Sequence, residues 1–339
     1  MTRTGLRIRA AYLLLAAAFL LFLGLSLCVG SMPVGPREVT AVLLGGGEGA
    51  AAQVVLRLRL PRALAAALLG GALSVSGYLL QTFFATPIAG PYVLGISSGA
   101  KLAVSVVMVF AVQRLGALPF PLMMAASFAG AMAVTLLILL FAGKARGMAT
   151  LLVIGIMVGN VCAAVTDFFV TFADEAGVAN LHAWSQGSFA GVSRENLLRA
   201  APLILAALAA VFLLCKPLSA FRLGEAYAQS MGVNVRAFRV LLIALSSLLS
   251  AGVTALTGPI SFVGVAVPQL SRLLLGTSRP EHMIPGTLLL GAAFCMGCDL
   301  AARTAFAPTE LAVSTVTAFF GAPVVIALML RRSAGREEA

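Results

Sequence analysis

Ten apolar windows alternate with short polar gaps along the chain, at residues 11–30, 63–82, 92–112, 119–142, 150–172, 197–215, 238–257, 260–275, 284–303 and 310–330. A helix needs roughly 20 mostly apolar residues to cross a hydrocarbon core, and most of these windows approach that length. In lipid the backbone must pair with itself, which leaves helices or closed barrels, and runs this continuous do not suit the alternating strands of a barrel. The pattern predicts an all-α integral membrane protein of about ten transmembrane helices, organised as one transmembrane domain over residues 1–339. An even number of crossings puts both termini on one side.

Two gaps are long enough to carry structure of their own. The first, Ala173 to Asn196, reads as an outer loop holding Trp184, the only tryptophan, at interface depth. The second, Lys216 to Arg239, reads as an inner loop. Its middle, Glu225 to Met231, is a good helix former, and Gly232 with Asn234 supplies a stop, so a short helix is expected there.

The pattern also repeats faintly. Arg59-x-x-Arg62, an apolar helix, Pro87-Ile88 and Val93-x-Gly95 are echoed by Arg236-x-x-Arg239, an apolar helix, Pro259-Ile260 and Val263-Gly264. The two units begin at helices that run in opposite directions, which makes the repeat an inverted one of the kind found in transporters.

Composition sharpens this picture. With 60% hydrophobic and 10% charged residues, the chain leaves no room for a sizeable soluble domain. Its formal charge of +11 would suggest nucleic acid in a soluble protein. Here the basic residues sit in the gaps between apolar runs, where anionic lipid is their natural partner.

A cytoplasmic N-terminus places Arg3, Arg7, Arg9, Lys144, Arg146, Lys216, Arg222, Arg236, Arg239, Arg272, Arg279, Arg331, Arg332 and Arg336 inside. That majority of the basic residues follows the positive-inside rule, to which the outer cluster Arg57, Arg59 and Arg62 is an exception. The first apolar segment, Ala11 to Val29 behind Arg3, Arg7 and Arg9, is like a signal peptide but too long in its apolar run, and is expected to be a retained helix. Five cysteines, Cys28, Cys162, Cys215, Cys295 and Cys298, lie in apolar stretches, against an extracellular disulfide framework.

Ionisable residues inside a bilayer are costly and are functional candidates by default, which singles out Lys101, Asp167, Asp299 and Glu310. Each also has a structural explanation: Asp167 and Glu310 lie near helix ends, and Asp299 stands one turn before Arg303. Cys295-x-x-Cys298 has no second cysteine pair or nearby histidine and is read as a packed helix face. His182 and His282 fall on opposite sides of the membrane and cannot share a metal. Gly155-x-x-x-Gly159 before Asn160 suits either close helix packing or a smooth pore wall. No G-x-x-x-x-G-K-[ST] motif occurs, nor an HExxH or a nucleophile elbow, so neither ATP binding by a P-loop nor enzyme chemistry is expected of this chain.

Several segments together resemble one family. Arg59-Leu60-Pro61-Arg62, Pro87-Ile88-Ala89-Gly90-Pro91 and Leu94-Gly95-Ile96-Ser97-Ser98-Gly99-Ala100 are similar to the permeases of bacterial importers for iron-siderophores, haem and cobalamin. Leu223-Gly224-Glu225, Met231-Gly232-Val233-Asn234-Val235, Gly258-Pro259-Ile260-Ser261-Phe262-Val263-Gly264, Val267-Pro268, Asp299-Leu300-Ala301-Ala302-Arg303 and Gly321-Ala322-Pro323 follow in that family's order.

The resemblance implies a type II ABC importer permease fold: a homodimer of ten-helix permeases, two ATPase subunits, and an extracytoplasmic binding protein, in the bacterial inner membrane. It implies no cofactor on this chain, with ATP and Mg on the partner ATPase. Coupling to the ATPase would fall to Leu223, Gly224, Glu225, Met231, Gly232, Val233 and Asn234. Docking of the binding protein would fall to Arg59, Arg62 and Arg303, whose planar forks grip carboxylates bidentately. The translocation path and its gates would comprise Thr86, Pro87, Ile88, Met148, Ala149, Thr150, Gly155, Gly159 and Asn160. Two positions depart from relatives: Gln269 stands where histidine is common and Thr86 where asparagine is common. An ion-coupled secondary carrier is the rival reading and would need a buried carboxylate such as Asp299 or Asp167 for coupling.

Overall fold

The computed structural model describes residues 3–30, 32, 34–46, 49–115, 120–142 and 147–337. Lys144 and Arg146 fall outside them. Helix α1 (Arg3–Cys28) is followed by the short α2 (Pro36–Leu43) and α3 (Ala50–Gln53). A π-helical turn, Val54–Arg59, joins α3 to α4 (Leu60–Phe83) without a break. Next come α5 (Ile96–Leu115), α6 (Phe120–Ala142), α7 (Met148–Val170), α8 (Glu175–Ser185) and α9 (Arg194–Leu213). Two short helices, α10 (Cys215–Arg222) and α11 (Glu225–Ser230), lead to α12 (Val235–Thr257), α13 (Val263–Leu275), α14 (Pro280–Thr304) and α15 (Val313–Glu337).

Among the described residues seven helices are long and apolar enough to cross a membrane, and three shorter apolar ones, Ile96–Val109, Val263–Leu275 and Val313–Ala327, account for the remaining windows. The window expected at 63–82 is the inner part of a continuous helix, Ala50–Phe83. Its first turns carry Arg57 and Arg59, which break the apolar run without breaking the helix. Pro61 lacks the N–H that would bond the Arg57 carbonyl, and just before it the helix widens so that Leu60 N–H bonds Val55 O.

Burial separates an inner group of helices from an outer one. The apolar windows of α4, α12 and α14 are 83%, 78% and 61% buried, against 22–28% for α1, α6, α7 and α9. Small residues allow the inner group to touch. A Cβ on Gly77 of α4 would lie 1.8 Å from the Gly264 carbonyl oxygen of α13, and one on Gly70 would lie 2.4 Å from Cys295 Cβ of α14. Cys295 and Cys298 are buried free thiols on the face of α14 that packs here. Where α4 crosses α12, Ser76 Oγ donates to Ser246 O at 2.7 Å and Ser246 Oγ to Ser76 O at 3.0 Å. Each serine hydroxyl thereby finds a partner in a dry interior, as most buried hydroxyls do.

Both inner helices, α4 and α12, are followed by irregular backbone, partly exposed at Ala85 and Ile88 after α4 but enclosed after α12. Gly258, Pro259 and Ile260 are buried, and Pro259 O accepts a hydrogen bond from Ser314 Oγ at 2.9 Å. Non-helical backbone at this depth survives because protein, not lipid, surrounds it.

The gap at 173–196, expected to be a loop, contains α8, started by Asp174, whose side chain accepts the Gly177 N–H at 3.1 Å. Trp184 on α8 is half-buried against Val104, Met108 and Leu181 and so acts as a packing residue.

Candidate functional site

Two clusters, at opposite ends of the inner helices, gather most of the residues singled out by sequence. We call them outer and inner after the side each is expected to face.

At the outer end the helix Ala50–Phe83 delivers two arginines one turn apart. Arg59 is only 5% exposed and is committed to the backbone. Its Nη1 donates to Leu27 O at 2.7 Å and Cys28 O at 2.9 Å, and its Nη2 donates to Met32 O. Leu27 and Cys28 are the last two residues of α1, where unpaired acceptors and the helix dipole favour a cation. Arg303 Nη2 donates to Ser26 O of the same helix end at 2.7 Å.

Arg62 is held differently, by carboxylates. Its Nε lies 3.0 Å from both oxygens of Asp299, and Nη1 and Nη2 reach Glu310 Oε1 and Oε2 at 3.1 and 3.0 Å. Asp299 is 2% exposed and Glu310 48% exposed at the side chain, so the guanidinium bridges an interior acid and a surface acid. The sequence pairs Asp299 with Arg303 one turn on. That contact exists at 3.9 Å, but Arg62, 237 residues away in the chain, is the closer partner. The three arginines and Glu310 line a cavity of about 520 Å³ with Val29, Leu58 and Pro308.

At the inner end α10 and α11 are separated by Gly224, whose backbone (φ 119°, ψ 149°) lies in a region reserved for glycine. Helix α11 ends as the sequence expects at Gly232 (φ 81°): Val233 N–H bonds Ala228 O at 3.0 Å and Gly232 N–H bonds Gln229 O at 2.9 Å. Asn234 does not belong to that stop. Its side chain accepts the Ala237 N–H at 3.1 Å and starts α12.

Glu225 forms an ion pair with Arg239, tying the first residue of α11 to the second turn of α12. Phe221 of α10 stacks on Phe83 at the end of α4, and its other neighbour is Phe238 of α12, with centroids 5.4 Å apart. Leu223 and Met231 point outward, 70% and 63% exposed, on a surface that would be costly if left bare.

The segments expected to gate the path meet this loop. Thr86, Pro87, Met148, Gly224 and Glu225 line one inner cavity of about 390 Å³ with Arg222 and Arg272. Ile88, Ala149 and Thr150 are exposed beside it. Gly155 and Gly159, which the sequence leaves open between packing and pore wall, both lie close against the backbone just ahead of α5. They are buried, and a Cβ on Gly159 would meet Gly95 Cα at 3.0 Å. Asn160 is exposed on the other face of α7, among Val153, Met157 and Val161.

Sequence reasoning missed two features here. One is the role of Phe221, which no motif marks. The other is Gln81, fully inside α4, whose Oε1 accepts from Gln269 Nε2 at 2.6 Å while its own Nε2 donates to Val265 O at 3.0 Å. Gln269 also approaches Pro87 O at 3.4 Å, linking α13 to the gate segment. A lone glutamine in an apolar helix was the available signal.

Among the described residues no group of three or more His, Cys, Asp or Glu side chains is placed to hold a metal.

The FecCD transport family matches residues 17–331. The chain is 33% identical to the hemin transport system permease protein HmuU of Yersinia pestis over 94% of its own length and 96% of that protein's. It is 37% identical to the vitamin B12 import system permease protein BtuC of Serratia proteamaculans over 84% of each chain. A solved metal-chelate type ABC transporter in an inward-facing conformation superposes with a TM-score of 0.81 at 27% identity, covering 94% of this chain and 97% of that one.

Proposed function

This chain belongs to the FecCD transport family, and on that premise we propose that it is the permease of an ATP-driven importer that moves a metal chelate across the bacterial inner membrane. Iron-siderophore or haem is the leading cargo and cobalamin the next; the similar permeases are named for hemin and vitamin B12. Two copies of the chain form the pore, and two ATPase subunits supply ATP and Mg. An extracytoplasmic binding protein supplies recognition. Both termini are cytoplasmic, so the arginine cluster faces out and the α10–α11 loop faces the ATPase.

The observation that carries this reading is the inner cavity, where the loop residues Gly224 and Glu225 share a wall with the gate residues Thr86, Pro87 and Met148. A push on exposed Leu223, Tyr227 and Met231 would reach the gate through two ties. These are the Glu225–Arg239 ion pair into α12 and the Phe221–Phe83 stack into α4. The secondary-carrier reading needs a carboxylate free to take up an ion. Asp299 is already neutralised by Arg62, and Asp167 lies exposed near the end of α7.

Docking of the binding protein at Arg59, Arg62 and Arg303 remains part of the proposal, with Arg62 in the leading role. Arg59 and Arg303 are turned toward the carbonyls of α1, whereas one edge of Arg62 faces outward. Charge reversal at Arg59 would therefore disturb α1 as well as docking, and Arg62→Lys is the cleaner probe. It keeps a charge beside Asp299 and loses the outward fork.

The loop assignment is tested by replacing Leu223 and Met231 with serine and measuring how much ATPase subunit copurifies. Loss of the ATPase with the permease still folded is the expected result, and full retention would contradict the assignment. Titrating the binding protein with haemin, ferric siderophores and cobalamin identifies the cargo.

A further inference from the structure

The guanidinium of Arg62 has two edges, and both are occupied. The Nε side is fixed on Asp299, which is 2% exposed and cannot leave without stranding a buried charge. The outward side, Nη1 with Nη2, is held by both oxygens of Glu310 at 3.1 and 3.0 Å. A carboxylate arriving from outside needs that same outward edge for a bidentate contact. Glu310, 48% exposed, sits in its place.

We propose that Glu310 is an exchangeable internal occupant of the docking site: the acidic side chain of the binding protein displaces it from Arg62, and the displacement frees the segment that leads into α15. This rests on the docking role proposed above for Arg62.

The surroundings of Glu310 fit such an exchange. Residues Ala305 to Glu310 are all exposed, between the end of α14 and the start of α15. Among the described residues this stretch is held to α14 at its two ends, by Ala305 N–H on Ala301 O at 3.0 Å and by Leu311 N–H on Ala302 O at 2.9 Å, and Val313 N–H bonds Gly187 O at 3.2 Å beyond it. The Glu310–Arg62 pair is the side-chain tie across to α4. The cluster holds three arginines against two carboxylates, so an incoming acid still meets net positive charge. Swapping one carboxylate for another on the same edge costs little in contact energy. Glu310 thus keeps a half-buried arginine neutralised until a partner arrives, and it subtracts from the partner's affinity what the internal pair contributes.

The experiment uses the permease assembled with its ATPase subunits in nanodiscs, and the extracytoplasmic binding protein of the proposed importer as the probe. Four forms are compared: unaltered, Glu310→Gln, Arg62→Lys and both together. Glu310→Gln is expected to tighten association roughly two- to fivefold, the range for a partly exposed ion pair. It should also speed hydrogen exchange over 305–312 without any partner. Arg62→Lys should weaken association, and adding Glu310→Gln to it should change nothing further. Unchanged or weaker association in Glu310→Gln, with Arg62→Lys still weakening it, overturns the exchange and leaves the docking role standing. Unaltered association in Arg62→Lys overturns both. Melting temperature and size-exclusion profile of each variant separate these outcomes from misfolding.

Discussion

The ring of Phe221 lies parallel to that of Phe83, with 2° between the planes and 6.4 Å between centroids. Phe221 belongs to the loop expected to meet the ATPase, and Phe83 is the last residue of the most buried helix, so the stack joins the loop to the core of the fold. Phe221→Leu keeps the volume largely filled but removes the aromatic pair, a loss of about 0.5–1.5 kcal/mol. Transport per ATP hydrolysed is expected to fall roughly two- to tenfold, with the ATPase subunits still bound. Measuring uptake and hydrolysis on the same proteoliposomes checks this; equal losses of both would contradict it.

Gly77 and Gly24 form a matched pair of alanine tests. A Cβ at Gly77 would lie 1.8 Å from the backbone oxygen of Gly264, and backbone cannot swing aside as a side chain can. Gly77→Ala is expected to cost about 1–3 kcal/mol or more and to lower the melting temperature in detergent. Gly24 has nothing within 4 Å, and Gly24→Ala should be neutral or slightly stabilising because alanine is the better helix former.

Asp299 neutralises Arg62 at 3.0 Å and lies 3.9 Å from Arg303. Asp299→Asn leaves two arginines close together in a protein interior. Removing one partner of a buried pair is expected to cost about 3–5 kcal/mol, seen as loss of folded protein on thermal challenge. Arg303→Gln, which removes the more distant partner, should cost less.

Gly224 tests the loop without touching the spans. No atom lies within 4 Å of where its Cβ would be, so Gly224→Ala acts through backbone strain alone, about 1–3 kcal/mol at a φ of 119°. The expected outcome is weaker retention of the ATPase subunits with an unchanged melting temperature for the membrane core.

The ten windows were legible because apolar length is written directly into the chain, and the broken helices after α4 and α12 showed as Pro-Ile and Gly marks. The span Ala50–Phe83 was cut short in the sequence because Arg57 and Arg59 end an apolar run. Lipid-facing rules do not apply to an arginine that caps the carbonyls of Leu27 and Cys28.

Residue types also marked the outer cluster, but not its wiring. The Arg62–Asp299 pair joins positions 237 apart, and no local spacing encodes such a contact. Gly155 and Gly159 show the same limit from the other side. Their spacing permits a close neighbour, and only the fold reveals that the neighbours are Leu94 for Gly155 and Gly95 for Gly159. The Gln81–Gln269 bond likewise depends on two helices meeting.

The most direct test of the central claim is uptake into proteoliposomes that carry the permease alone or with its ATPase subunits, supplied with the binding protein loaded in turn with haemin, a ferric siderophore or cobalamin. Accumulation is predicted only when the ATPase subunits, the binding protein and ATP are all present, and for one class of cargo. Accumulation by the permease alone, driven by a proton or sodium gradient, would contradict the account.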